Sequence, residues 1–190
     1  MKNPWTRLAL YLTLFNAVTA CGTVSNKDLT IRPPVDNPRA ETHQPPEIDA
    51  ELRDAVNDWL SDCQIYSSLH CGSYLNKIDS IKVVDAYEEG AEDTIGRCQL
   101  YQNYTWQIVQ RDVTIRRDIL THPYTLRATF AHEMGHCAFL LEHDASEPNL
   151  LMNPYVPAEV TLMQKLDWML TKFYMGLRMG TLPRIGIDNE

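Results

Sequence analysis

What the sequence lacks narrows its function first. Past residue 20 there is no long apolar run, so nothing in that part of the chain reads as a membrane span. There is no basic excess: 17 Lys and Arg stand against 25 Asp and Glu, a formal net charge of −8. Nucleic-acid binders present a basic face, so that class is set aside. No internal repeat is present, which sets aside solenoids. The acidic run 88–93 lacks the ligand spacing of an EF-hand and reads as a solvated turn. What is left is ordinary globular composition, 44% hydrophobic and 22% charged over 190 residues, enough for one domain with a sizeable core. A monomer is expected.

The N-terminus is a targeting segment. Lys2 and Arg7 precede a short apolar run, residues 8–18. Val18-Thr19-Ala20-Cys21 then resembles the signal of bacterial lipoproteins, in which cleavage precedes the cysteine and Cys21 is lipidated; the alternative is an ordinary signal peptide with a chance cysteine. With Gly22 rather than aspartate next, the resemblance implies an outer-membrane lipid anchor in the cell envelope, facing the periplasm or outside. The expected organisation is a signal peptide (1–20), a lipidated, Pro-rich tether (21–46) and one domain (47–190). The tether could instead be an inhibitory pro-segment, although it has no cysteine past Cys21 to block a metal. His43 within it reads as a solvated side chain.

Four cysteines remain, and an even count in an oxidising compartment points to two disulfides. Of the three pairings, Cys63–Cys71, which closes a short loop, and Cys98–Cys137, which ties a strand to a helix, are preferred over buried free thiols. Periodicity predicts a first helix over 46–62, a loop to Ser80, a strand over 81–87 and a strand over 96–102. Two further strands, 105–110 and 113–117, follow, with tight connections at Asn103-Tyr104 and at Arg111-Asp112. A helix entered at Pro123 and a last helix over 157–177 follow.

The helix after Pro123 carries His132-Glu133-Met134-Gly135-His136. Two histidines four residues apart lie on one face and reach one metal ion, while the glutamate between them can hold a water. The bland alternative is a helix that happens to bear two histidines. Leu126, Phe130, Met134, Cys137 and Leu141 form a core stripe, so one side is expected to bury while the histidine side faces a cleft. A catalytic zinc takes three protein ligands. Downstream, His143 is preferred as the third because neutral imidazole is a good zinc ligand; Glu142 is the alternative, and Asp144 a more distant one.

With Leu151-Met152-Asn153-Pro154 following, the stretch from Thr129 to Pro157 resembles the metzincin clan of zinc peptidases, matrixin-like members most closely. His132, Glu133 and His136 match its motif, and Met152 stands for the methionine of its turn. Two positions depart: the family glycine falls at Phe139, and the third histidine falls at Glu142, with His143 one residue late. A one-residue insertion keeps His143 as ligand; strict register makes it Glu142. The resemblance implies an α+β, zincin-like fold with a twisted, mostly parallel sheet, two long helices and a cleft. Leu29, Thr30 and Ile31 are the one candidate for its leading strand, and residues 105–110 for the edge that binds extended peptide. It implies one catalytic Zn2+, a peptide or protein substrate, Glu133 as general base, and Tyr155 as a weaker candidate for an oxyanion or substrate contact. Rival classes are a non-catalytic zinc-stabilised lipoprotein module and a hydrolase of cell-wall peptides.

The lipid anchor gives the first test. Cys21→Ser is expected to move the protein from the membrane pellet to the soluble periplasmic fraction, read by fractionation; an unchanged distribution would refute lipidation.

Overall fold

The structure is a computed structural model that describes residues 29–32, 45–89 and 91–185. The signal segment, Cys21 and His43 lie outside the described residues. The chain is α+β. Five strands, β1 (Leu29–Arg32), β2 (Glu47–Ile48), β3 (Ser80–Val84), β4 (Gly96–Gln102) and β5 (Ile108–Arg116), form one sheet in the order β1-β4-β5-β3-β2. All pairs are parallel except the β4–β5 hairpin. Four α-helices accompany it: α1 (Arg53–Tyr66), α2 (Cys71–Leu75), α3 (Pro123–Phe139) and α4 (Glu159–Met179). No helix of the described residues is long and apolar enough to cross a membrane.

Alternation along β4 and β5 builds the surface on which α3 lies. Cys98 and Leu100 on β4, and Val113 and Ile115 on β5, are all fully buried. Cys98 pairs with Val113 and Gly96 with Ile115 across the ladder, so these four positions share one face. The Cys98–Cys137 disulfide then fixes α3 to that face, and Cys63–Cys71 joins α1 to α2. Both are the preferred pairings. Arg111 adds a second tie, donating from Nη1 to the Cys137 carbonyl at 2.6 Å.

Several expectations change. The first helix begins at Arg53, not Pro46. Glu47 and Ile48 instead add to β3, because Asp49 donates its N–H to Ile81 and accepts the Val83 N–H on its carboxylate. The loop expected before Ser80 contains α2. The two strands expected over 105–117 are one, with no turn at Arg111-Asp112. The polar side chains there are satisfied inside the sheet: Asp79 Oδ2 accepts the Arg111 N–H at 2.9 Å, and Asp112 Oδ1 accepts the Ser80 hydroxyl at 2.6 Å. The other expected connection, at Asn103-Tyr104, is the turn, spanning 103–107, where Asn103 Oδ1 accepts the N–H groups of Thr105 and Gln107. Of the expected edge 105–110, residues 105–107 are turn, while 108–110 pair with β4 on one side only, because β3 pairs with β5 over residues 112–116. Leu29–Arg32, inside the expected tether, is a strand, and it adds to the outer side of β4.

Nor does α3 keep one face open. It is buried all round from Ala128 to Phe139. Helix–helix polar contacts hold it there. Its first-turn N–H groups, at Tyr124 and Thr125, have no local cap and are accepted by Glu159 of α4 at 3.1 and 2.9 Å. An acidic side chain at a helix N-terminus also complements the helix dipole. Arg127 reaches across to the buried Asp62 of α1, with Nε to Oδ2 at 2.8 Å.

The disulfides enclose loops of different length, with sequence separations of 39 and 8. Loop-closure entropy therefore assigns about 4 kcal/mol to Cys98–Cys137 and about 2.5 kcal/mol to Cys63–Cys71. Replacing both cysteines of a pair with serine and measuring denaturant unfolding is expected to give losses in that order; a larger loss from the shorter loop would contradict the assignment.

Candidate metal centre

The centre is built on the last two turns of α3. His132 and His136 sit one helical turn apart, and each ring is pinned from behind. Nδ1 of His132 lies 2.6 Å from the Leu151 carbonyl, and Nδ1 of His136 lies 2.7 Å from the Leu141 carbonyl. A carbonyl can only accept, so both Nδ1 atoms carry the proton and both Nε2 atoms are left as acceptors. Those acceptors point at one another. His136 Nε2 is 3.0 Å from His132 Nε2 and 3.1 Å from His143 Nε2. The ligand atoms of His132, His136 and His143 all lie within 4.8 Å of each other, with the first two residues buried and the third half-buried.

Two acceptor nitrogens as close as those of His132 and His136 repel unless a positive charge lies between them. A metal ion is the charge the donor set fits, and imidazole suits zinc, copper, iron and nickel. The backbone carbonyls behind the rings are the outer-shell partners that a metal-ligating histidine needs. The three histidines can thus hold one metal ion. Glu142 stands outside the group: it is exposed, and its N–H donates to the Pro183 carbonyl at 3.0 Å. Asp144 is also outside, its N–H on the Met152 carbonyl and its Oδ1 accepting the Ser146 N–H.

The displaced third histidine has a backbone explanation. Glycine commonly ends a helix in the left-handed region, and none is available here. Leu140 takes that conformation instead, at φ 56° and ψ 44°. It is one residue beyond the position of the expected glycine, and His143 is one residue beyond that of the expected histidine. Helix end and ligand have moved together.

Beneath the helix, Leu150 to Asn153 form a turn closed by the Asn153 N–H on the Leu150 carbonyl at 3.0 Å. Met152 is buried, and a Cβ on Gly135 would fall 2.4 Å from its Sδ. A side chain at 135 would therefore have to displace the end of the methionine. Tyr155 is 56% exposed, its N–H bonded to Asn153 Oδ1, and it is not part of the histidine group.

Glu133 is fully buried. A Cβ on Gly96 would lie 2.6 Å from its Oε1 and 2.5 Å from Thr129 Cγ2. The first residue of β4 is thus the wall against which the carboxylate packs. Gly96 and the carbonyls of Leu141 and Leu151 were not read from the sequence. A glycine heading a strand was the one available signal, since it often marks close approach of another group. On the other face of the sheet Arg97 donates to Glu88, which holds that carboxyl below its ordinary range. Burial holds the phenol of Tyr87 well above its ordinary value, against its hydrogen bond to Thr114, and the negative charge of Glu133 adds to the rise.

Gly135→Ala is expected to displace Met152, cost about 1–3 kcal/mol by overpacking and weaken metal binding. Gly96→Ala should push on Glu133 and leave the histidines in place, so metal binding should persist. Calorimetry and metal titration of both variants check this; equal metal loss in the two would break the distinction.

No family model, no curated protein and no solved structure matches the chain.

Proposed function

We propose that the chain is a zinc-dependent endopeptidase of metzincin type, held at the bacterial cell envelope through Cys21. The observation that carries this reading is the convergence of three imidazole Nε2 atoms, two of them on the helix that also carries Glu133. Three neutral protein donors suit a catalytic ion, because a structural zinc takes four. A zinc ion held by His132, His136 and His143 supplies Lewis acidity toward a carbonyl oxygen and makes water nucleophilic near neutral pH.

The chain's own residues do the rest. The Leu151 and Leu141 carbonyls fix the two helix imidazoles so that no reorientation is needed during reaction. Glu133 follows His132 directly and is turned about 100° from it around the helix. Its carboxylate accepts the proton of the attacking water and delivers it to the leaving amide nitrogen. The methionine turn supports the helix floor through Met152. Extended peptides join a sheet at a free edge. The strand against Glu133 is β4, and its outer side carries β1, so a peptide binding there must displace Leu29–Arg32.

The complete burial of Glu133 favours a second reading, a non-catalytic metal-stabilised module. A hydrolase of cell-wall peptides shares the chemistry of the first reading and differs in substrate. Glu133→Gln separates enzyme from module. It keeps shape and removes the base, so bound zinc and melting temperature should hold while cleavage of casein, peptides or peptidoglycan falls about a hundredfold to ten-thousandfold. Equal cleavage by two zinc-loaded proteins rules out Glu133 as base. An absence of cleavage in the wild type on all three substrates favours the module.

A further inference from the structure

We propose that the C-terminal segment Pro183 to Ile185 is the positioning element of the metal centre: it clamps the backbone between α3 and His143, and so sets two of the three imidazoles. The inference rests on the reading of His132, His136 and His143 as metal ligands.

Leu140 is the starting point. A branched residue in the left-handed region costs roughly 1–2 kcal/mol, and it persists only where its surroundings over-determine it. On the helix side, Leu140 N–H donates to the His136 carbonyl and Leu141 N–H to the Gly135 carbonyl, both at 3.1 Å. On the opposite side the tail completes the hold. Ile185 N–H donates to the Leu140 carbonyl at 2.8 Å, and Glu142 N–H donates to the Pro183 carbonyl at 3.0 Å. Leu141 and Arg184 form the antiparallel bridge between these two bonds.

The clamped residues are the ones the ligands depend on. The Leu141 carbonyl takes the Nδ1 proton of His136, and His143 follows Leu141 by two residues. Moving Leu141 therefore swings one imidazole and carries off another. The tail itself has an anchor. Gly180, at φ 66°, turns the chain back from α4, Thr181 N–H returns to the Gly176 carbonyl at 3.0 Å, and Leu182 packs on Gly176 so closely that a Cβ there would lie 2.9 Å from its Cγ. The end of α4, distant in sequence from the motif, thus reaches the metal centre through five residues of tail.

Three full-length variants test this. Ile185→Pro deletes the N–H that holds Leu140, whereas Ile185→Ala keeps that N–H and trims the side chain. His143→Ala calibrates the loss of a whole ligand. Zinc affinity, measured by chelator competition, is expected to fall about tenfold to a hundredfold in Ile185→Pro, the range for lost outer-shell support. Its cobalt-substituted spectrum should shift toward that of His143→Ala. Ile185→Ala should lower the melting temperature and keep the wild-type spectrum. Adding Leu140→Gly to Ile185→Pro should recover part of the affinity, because glycine takes the left-handed conformation without the clamp. A folded Ile185→Pro protein with wild-type zinc affinity and cobalt spectrum would overturn the proposal. Should that variant fail to fold, a chain stopped after Leu182 is measured in its place under the same criterion. A wild type that binds neither metal sinks the ligand reading instead. Amide exchange then still judges the clamp: Glu142 protected in wild type and unprotected in Ile185→Pro supports it, and equal exchange in both overturns it.

Discussion

The structure turns on two hydrogen bonds from histidine rings to backbone carbonyls. Once Leu151 and Leu141 take the Nδ1 protons of His132 and His136, the tautomers are fixed and both Nε2 atoms must face inward. Everything else around the centre can be understood as placing those carbonyls. The Leu151 carbonyl belongs to the turn over 150–153, which Asn153 staples by accepting the Tyr155 N–H and donating to the Glu147 carbonyl. The Leu141 carbonyl belongs to the segment held by the helix end and the tail. A metal bound to three rings is only as well defined as these supports, because an unsupported imidazole rotates about two bonds.

The same supports explain why α3 is buried on all sides rather than along a stripe. A helix with one open face can rock about its axis, and a rotation of a few tens of degrees would carry the Nε2 atoms out of register. Here the sheet holds it through Cys98–Cys137, α1 through Asp62–Arg127, and α4 through Glu159 at its N-terminus. Each tie joins α3 to an element far away in sequence. Burying Asp62 is costly in isolation, and the guanidinium of Arg127 is what makes it tolerable.

Much of this was legible in the sequence because the chemistry is local there. The spacing of His132 and His136 fixes them on one helix face whatever the rest of the chain does. The parity of the cysteines and the expected export pointed to two disulfides, and the short loop and the strand–helix tie to their pairing. The α+β class and the mostly parallel sheet were what the resemblance implied, and the order of elements agreed with it. What was not legible depends on partners distant in sequence. Arg111-Asp112 looks like a turn until Asp79 and Ser80 arrive to pair with it, and Glu47-Ile48 looks helical until β3 offers an edge. The strand at Leu29–Arg32 sits in a stretch whose composition reads as linker; the resemblance alone offered Leu29 to Ile31 as a strand, and β4 is what it pairs with. Gly96 has meaning only once Glu133 is packed on it. Histidine 143 was chosen on ligand chemistry; the geometric reason, a left-handed Leu140, cannot be read from a leucine.

Leu140 sets the cost of this helix end against the metal that the three histidines can hold. The strain at Leu140, roughly 1–2 kcal/mol, is small beside the apparent binding free energy of a zinc site, about 10–16 kcal/mol in small zinc-folded peptides. It is not small beside the net stability of a domain, about 5–15 kcal/mol. With leucine rather than glycine at this helix end, the three histidines can hold a metal only if the fold itself carries the strain. The nearest reserve is the Cys98–Cys137 bridge, three residues before Leu140, whose loop-closure contribution of about 4 kcal/mol exceeds it. Staple and strain sit side by side on the helix, so a leucine is tolerable at this helix end because the preceding turn is already fixed to the sheet.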